Sequence, residues 1–120
     1  KGGQRRRSLI ETIDVYPTLC HLAAVPLPQH LEGQSFKPLL HKAGASWKEM
    51  AIGRYRNGDS IRTDRYRFTE YTNMTGKHMG AMLYDHTQDP GENVNVLRRR
   101  RPVARDLRQS LRETMGRDFD

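Results

Sequence analysis

An α+β fold is expected for this chain, and three features of the sequence carry the expectation. Residues 49–85 fall into strand-length runs, one of them strictly alternating, separated by turn residues. Asn57-Gly58, inside that region, is a strong short hairpin signal. A helical pattern stands on either side, one near each end of the chain. The architecture expected is a four-stranded antiparallel sheet packed by an N-terminal helix and a C-terminal helix, with one sheet face covered by helix.

The elements follow in order. Residues 1–7 are glycine-rich and then basic, a flexible lead-in. Leu9, Ile10 and Ile13 make a short apolar approach. Asp14 stands where a helix N-cap belongs, and Pro17 falls in the first turn, where its missing N–H is no loss. Tyr16, Leu19, Leu22 and Ala23 recur at helical spacing and are expected to form one buried face, with the helix running to about Ala24. Val25-Pro26-Leu27-Pro28 ends it. In residues 31–40, Gly33 allows a tight turn and Ser35 caps a short helical turn. Phe36, Leu39 and Leu40 are expected to anchor that turn.

Strands are expected over residues 49–56, 59–63, 66–71 and 82–85. Asn57-Gly58 predicts a type I′ turn between the first two, and residues 63–65 turn the chain again. In the third strand Tyr66 and Phe68 share one face, with Arg65, Arg67 and Thr69 on the other. Residues 72–80 are expected to form a loop containing Asn73-Met74-Thr75, a glycosylation sequon that matters only in a eukaryotic secretory protein. After the fourth strand, Pro90 fixes its own φ and Gly91 permits a sharp reversal. Asp85, Asp89, Glu92 and Asn95 are read as turn chemistry and capping rather than metal ligation. Residues 102–115 close the chain as a helix whose stripe is Val103, Leu107, Leu111 and Met115, with Gly116 ending it.

The 120 residues suffice for one domain with one modest core, and 35% hydrophobic residues is near the low end for a self-sufficient globule. The chain is read as a single domain over residues 1–120, and as a piece of something larger. It has no run of 18 apolar residues, so no transmembrane helix and no membrane partner are expected. One cysteine, Cys20, excludes an internal disulfide framework. The net charge of +7 equals the seven arginines of two runs, Arg5-Arg6-Arg7 and Arg98-Arg99-Arg100-Arg101, so the remainder is balanced. Such runs can bind nucleic acid or acidic polysaccharide, yet no recognition motif accompanies them, and a solvated edge explains them as well.

Several stretches carry a family resemblance. They are Asp14-Val15-Tyr16-Pro17-Thr18-Leu19, residues 31–40 (LEGQSFKPLL), residues 60–70 (SIRTDRYRFTE), and residues 83–95 (LYDHTQDPGENVN). Their order and spacing resemble the C-terminal subdomain of the sulfatase family, most nearly its iduronate-sulfatase-like branch. The resemblance implies a parent enzyme that hydrolyses sulfate esters with a formylglycine nucleophile and a calcium ion. It also implies a catalytic domain upstream as the packing partner, and a periplasmic, secreted or lysosomal location.

The parent chemistry needs an activated oxygen nucleophile and a dense positive cradle. Formylglycine is made from the Cys or Ser of a [Cys/Ser]-x-Pro-x-Arg motif, which this chain lacks; Cys20 is followed by His-Leu-Ala-Ala and reads as a small core residue. No catalytic residue and no metal ligand is therefore assigned, and the 120 residues alone are expected to be inactive. His21, His30, His41, His78 and His86 show no zinc spacing. The family's C-terminal sheet can lend side chains to the cleft rim, which makes Arg54, Tyr55, Arg62 and His78 the substrate-rim candidates. An exposed apolar surface where the catalytic domain docks would also drive self-association of the isolated chain. The alternatives are a basic module binding nucleic acid or acidic polysaccharide through its arginine runs, or a truncated sulfatase relic serving as an assembly protein.

Overall fold

A computed structural model describes residues 2–116; Lys1 of the expected lead-in lies outside the described residues. The chain divides into two compact units, Lys1–Glu49 and Met50–Asp120.

The first unit is organised around a buried carboxylate. A short 3-10 turn, Thr12–Asp14, leads into helix α1, Val15–Leu22, and helix α2 follows at Lys37–His41. Asp14 occupies the N-cap position of α1, but its side chain does not cap the helix. It is fully buried, accepts the Glu11 amide at 2.8 Å and the Gln34 amide at 2.9 Å, and pairs with Lys48 Nζ at 2.6 Å. Thr18 adds a second polar tie, donating to the Asp14 carbonyl and accepting the Phe36 amide. Trp47 Nε1 donates to the Leu9 carbonyl at 2.6 Å.

The expected buried face of this helix is overturned. The residues α1 turns inward are Pro17, Thr18 and Cys20, while Tyr16, Leu19 and Leu22 are each half or more exposed and Ala23 is exposed. Helical spacing marks an apolar stripe without saying what covers it; here the inner side of the helix is held by hydrogen bonds to residues 34–36. The helix stops at Leu22, and Ala24 has left it with a φ of 55°. Leu39 anchors α2 as expected and Phe36 is half-buried, but Leu40 is 50% exposed. Ser35 is not the cap: Phe36 holds the N-cap position with no side-chain bond, and Ser35 Oγ only accepts the Lys37 amide at 3.4 Å.

The second unit is the expected meander. Strands β1 (Ala51–Tyr55), β2 (Gly58–Arg62), β3 (Tyr66–Thr72) and β4 (His78–Asp85) pair antiparallel in sequence order, and helix α3 spans Arg101–Met115. The α+β expectation therefore holds, with a four-stranded antiparallel sheet and helices toward both ends of the chain. Ile61, Phe68 and Leu83 are completely buried and meet Ala104 and Leu111 of α3. Val103, Leu107 and Met115 flank them, which is the stripe read from the sequence. Tyr66 joins Phe68 on this core side. Gly116 ends α3 in the left-handed region, as expected.

Three local expectations shift. The first hairpin turns at Arg56-Asn57, because Tyr55 pairs directly with Gly58. Gly58 is buried in β2 beneath Tyr71, where a Cβ would lie 2.8 Å from the ring. That packing claims the glycine for the strand, and of the two turn residues only Arg56 takes positive φ, so the turn is not type I′. β4 begins at His78 rather than Met82, so the expected 72–80 loop shrinks to residues 73–77. After β4, Glu92, not Gly91, adopts positive φ. The acids there do serve local structure: Asp89 accepts the Val94 amide at 2.7 Å and the Asn93 side chain at 2.9 Å. Asn95 Oδ1 accepts the Leu83 and Leu97 amides, tying this segment to β4.

Candidate functional site

The register of the sheet sorts its polar residues. Arg54, Asp59, Glu70 and Ala81 are direct cross-strand partners and so share one face. Ile61, Phe68 and Leu83 lie two residues along on that same face, under α3. Arg62, Arg67 and Tyr84 form a row on the opposite face.

Arg54 faces Asp59 with its guanidinium fork, Nε to Oδ1 at 2.6 Å and Nη2 to Oδ2 at 2.8 Å. This bidentate pair raises the Arg54 guanidinium above its ordinary range and occupies the donors a substrate anion would need. Tyr55 is 75% exposed at the strand end, with the Arg56 guanidinium 5.4 Å from its ring centre. Arg62 approaches His86 Nε2 at 3.2 Å, and that nitrogen also meets Glu92 Oε1 at 2.5 Å. Glu92 in turn pairs with Arg67. His78 opens β4 and contacts the buried Glu70 through Nδ1 at 2.9 Å. Arg108 and Arg112 of α3 reach the same Glu70 oxygen, at 3.1 and 3.3 Å.

The four sequence candidates are therefore held in separate networks. Arg54 lines an open hollow of about 590 Å³ between the first hairpin turn and the 73–77 loop. Arg56, Asn57, Asp59, Thr72 and Asn73 share that lining with it. Arg62 is held on the opposite face, and neither Arg62, Tyr55 nor His78 lines the hollow. Arg56 escaped the sequence reading because Asn57-Gly58 pointed to a turn one residue later.

A family model, N-sulphoglucosamine sulphohydrolase, C-terminal, matches residues 1–117. The chain belongs to this family of sulfatase C-terminal domains. Among curated relatives of this sulfatase domain, arylsulfatase K of Canis lupus familiaris is 28% identical over 131 residues, covering 97% of the chain and 24% of the relative. A delta 4,5-hexuronate-2-O-sulfatase of Bacteroides thetaiotaomicron is 31% identical over 96 residues, covering 71% of the chain and 19% of the relative. A structure solved with its substrate D-glucosamine-2-N,6-O-disulfate superposes with a TM-score of 0.73 at 26% identity, covering 86% of the chain and 23% of that protein. The phosphonate monoester hydrolase of Agrobacterium radiobacter shares the fold at a TM-score of 0.64 and 23% identity. The sulfatase domain described here thus spans about a quarter of the length of arylsulfatase K.

The family implies calcium and formylglycine, and the residues present do not fit either group. No cluster of three His, Cys, Asp or Glu side chains is placed to hold a metal among the described residues. Cys20, the only cysteine, is buried in α1 outside any Cys-x-Pro-x-Arg context. No catalytic step is assigned to this chain.

Proposed function

We propose that this chain is the C-terminal part of a sulfuric ester hydrolase acting on sulfated sugars, and that it packs on a catalytic domain and rims its cleft. The family match over residues 1–117 carries the reading. The names of its relatives, a hexuronate-2-O-sulfatase and a protein bound to a glucosamine disulfate, support a sulfated sugar as the substrate class. The iduronate-sulfatase-like features of residues 83–95 agree with that class. Formylglycine and calcium would be supplied by the catalytic domain. The exposed apolar face of α1 supports docking on that domain, since an uncovered stripe of this kind marks an interaction surface. Arg54, Tyr55, Arg62 and His78 remain the proposed rim residues, with Arg54 acting through the wall it forms with Asp59.

The reading frame upstream of the Lys1 codon tests this. The expected outcome is an in-frame region carrying [Cys/Ser]-x-Pro-x-Arg, whose product releases inorganic sulfate from a sulfated disaccharide. Replacing that Cys or Ser with Ala should abolish release. A start codon close to Lys1 with no such frame would overturn the hydrolase and leave the basic binding module or the assembly relic.

A further inference from the structure

We propose that the hollow between the β1–β2 turn and the 73–77 loop binds one anionic sugar unit of an oligosaccharide, with Arg56 recognising its sulfate or carboxylate group. The choice of a sugar rests on the sulfatase reading above. The site itself rests on three observations: the turn that holds Arg56, the charge it carries, and the wall that faces it.

Arg56 sits in the left-handed region, with a φ of 54°. A non-glycine residue there is uncommon and strained, and such positions persist where the surrounding structure imposes them. Here the burial of Gly58 under Tyr71 fixes the register, so the arginine must occupy the strained corner of the turn. The guanidinium lines the hollow and lies 5.4 Å from the ring centre of Tyr55, which stands outside that lining.

The charge on Arg56 is also available. Arg54 and Asp59 neutralise each other in the same lining, whereas no carboxylate pairs with Arg56 among the described residues. The lining therefore keeps one positive charge in surplus. Its other members include the uncharged Asn57, Thr72, Asn73 and Thr75, groups that match sugar hydroxyls.

The far wall is already shaped. Asn73 Oδ1 accepts the Thr75 and Lys77 amides at 3.0 and 2.8 Å, and Thr75 Oγ1 donates to the same oxygen at 2.7 Å. The loop is thus set by its own bonds before any ligand arrives. The volume of about 590 Å³ lies within the range of small-ligand sites, and the open side lets a longer glycan continue outward.

Calorimetric titration of the full chain with a sulfated unsaturated heparin disaccharide tests the site. Its desulfated form and a neutral disaccharide serve as further probes. The sulfated sugar should bind at least tenfold more tightly than the neutral one. Retained affinity for the desulfated form assigns Arg56 to the carboxylate, and lost affinity assigns it to the sulfate. Arg56→Gly should weaken binding at least tenfold while raising the melting temperature, because glycine accepts the turn without strain. Arg56→Lys should bind between the two. A double variant in the basic run, Arg99→Ala with Arg100→Ala, should bind as the unaltered chain does. Wild-type affinity in Arg56→Gly, no binding by the unaltered chain, or loss confined to the basic-run variant would overturn the site. The two readings fail separately: Arg56-dependent binding without any hydrolase sinks only the hydrolase, and hydrolysis with Arg56-independent binding sinks only this site.

Discussion

Gly33 lies against the backbone of Ile13 so closely that a Cβ built on it would stand 2.0 Å from the Ile13 carbonyl oxygen. No rotamer change can relieve that overlap, because a Cβ is fixed by its own backbone and the atoms it meets are the main chain of Ile13. Gly33→Ala should push residues 33–36 away from α1. The Gln34 amide would leave Asp14 and the Phe36 amide would leave Thr18, both now at 2.9 Å. The expected loss is roughly 2–3 kcal/mol, from overpacking plus stretched hydrogen bonds. Urea denaturation followed in the first unit would read it, and an unchanged midpoint would mean the contact is not tight.

Asp14 should be the most sensitive acid in that unit. Burial acts to raise its carboxyl, but the Lys48 ammonium and the Gln34 and Glu11 amides outweigh it and hold the group below its ordinary 3.8. Asp85 is lowered by the Arg65 guanidinium, and Asp89 by the Val94 amide and the Asn93 side chain. Each of these acids binds its proton less readily folded than unfolded. Their stabilisation is complete above the unfolded value near 3.8 and is lost as the pH falls through the lower folded values. Melting temperature should therefore be insensitive to these groups near neutrality and should fall steeply in acid. Asp14→Asn should cost about 2 kcal/mol at neutral pH, since it leaves Lys48 short of a buried partner, and should flatten the acid limb. Parallel acid limbs for variant and wild type would refute the assignment.

The sheet and α3 were legible because their side chains answer to simple periods. Phe68 and Tyr66 alternate with Arg67, and Leu107 and Leu111 repeat every fourth residue, so the pattern alone names the core. The hairpin register was not legible, because it depends on Tyr71 covering Gly58, a contact between residues thirteen positions apart. The orientation of α1 was not legible either. Its apolar stripe of Tyr16, Leu19 and Leu22 is genuine, but what covers a stripe is a tertiary fact, and within this chain those residues are exposed. For the candidate site, Arg54 could be named from the sequence, but its pairing with Asp59 could not. A cross-strand partner cannot be seen until the register is known.

Leu111 provides the sharpest test of the second unit's core. It is 1% exposed and packs among Ile61, Phe68 and Leu83. Leu111→Ala should cost about 3 kcal/mol, through lost burial and an unfilled cavity. Val103→Ala, at the half-buried edge of the same stripe, should cost roughly 1 kcal/mol, because less apolar surface leaves the interior. Comparable losses in urea denaturation would mean that α3 is not seated on the sheet as described.

The exposed stripe of the first unit gives opposite predictions in two settings. Ile13, Tyr16, Leu19 and Leu22 are each 50–58% exposed, so this segment leaves much apolar surface uncovered within the chain. The 120-residue chain should self-associate at concentrations where such a patch finds its own copy. The double variant Leu19→Ser with Leu22→Ser should then sediment as a monomer. It should lose no more than about 0.5 kcal/mol of stability, because the replaced side chains are not in the core. In a longer protein that carries the catalytic domain, the same face would be buried, and the same double variant should lower the melting temperature instead. Sedimentation velocity of the isolated chain across a hundredfold range of concentration decides the first setting. A strictly monomeric wild type there, with no thermal loss from the double variant in the longer protein, would remove α1 as the docking surface.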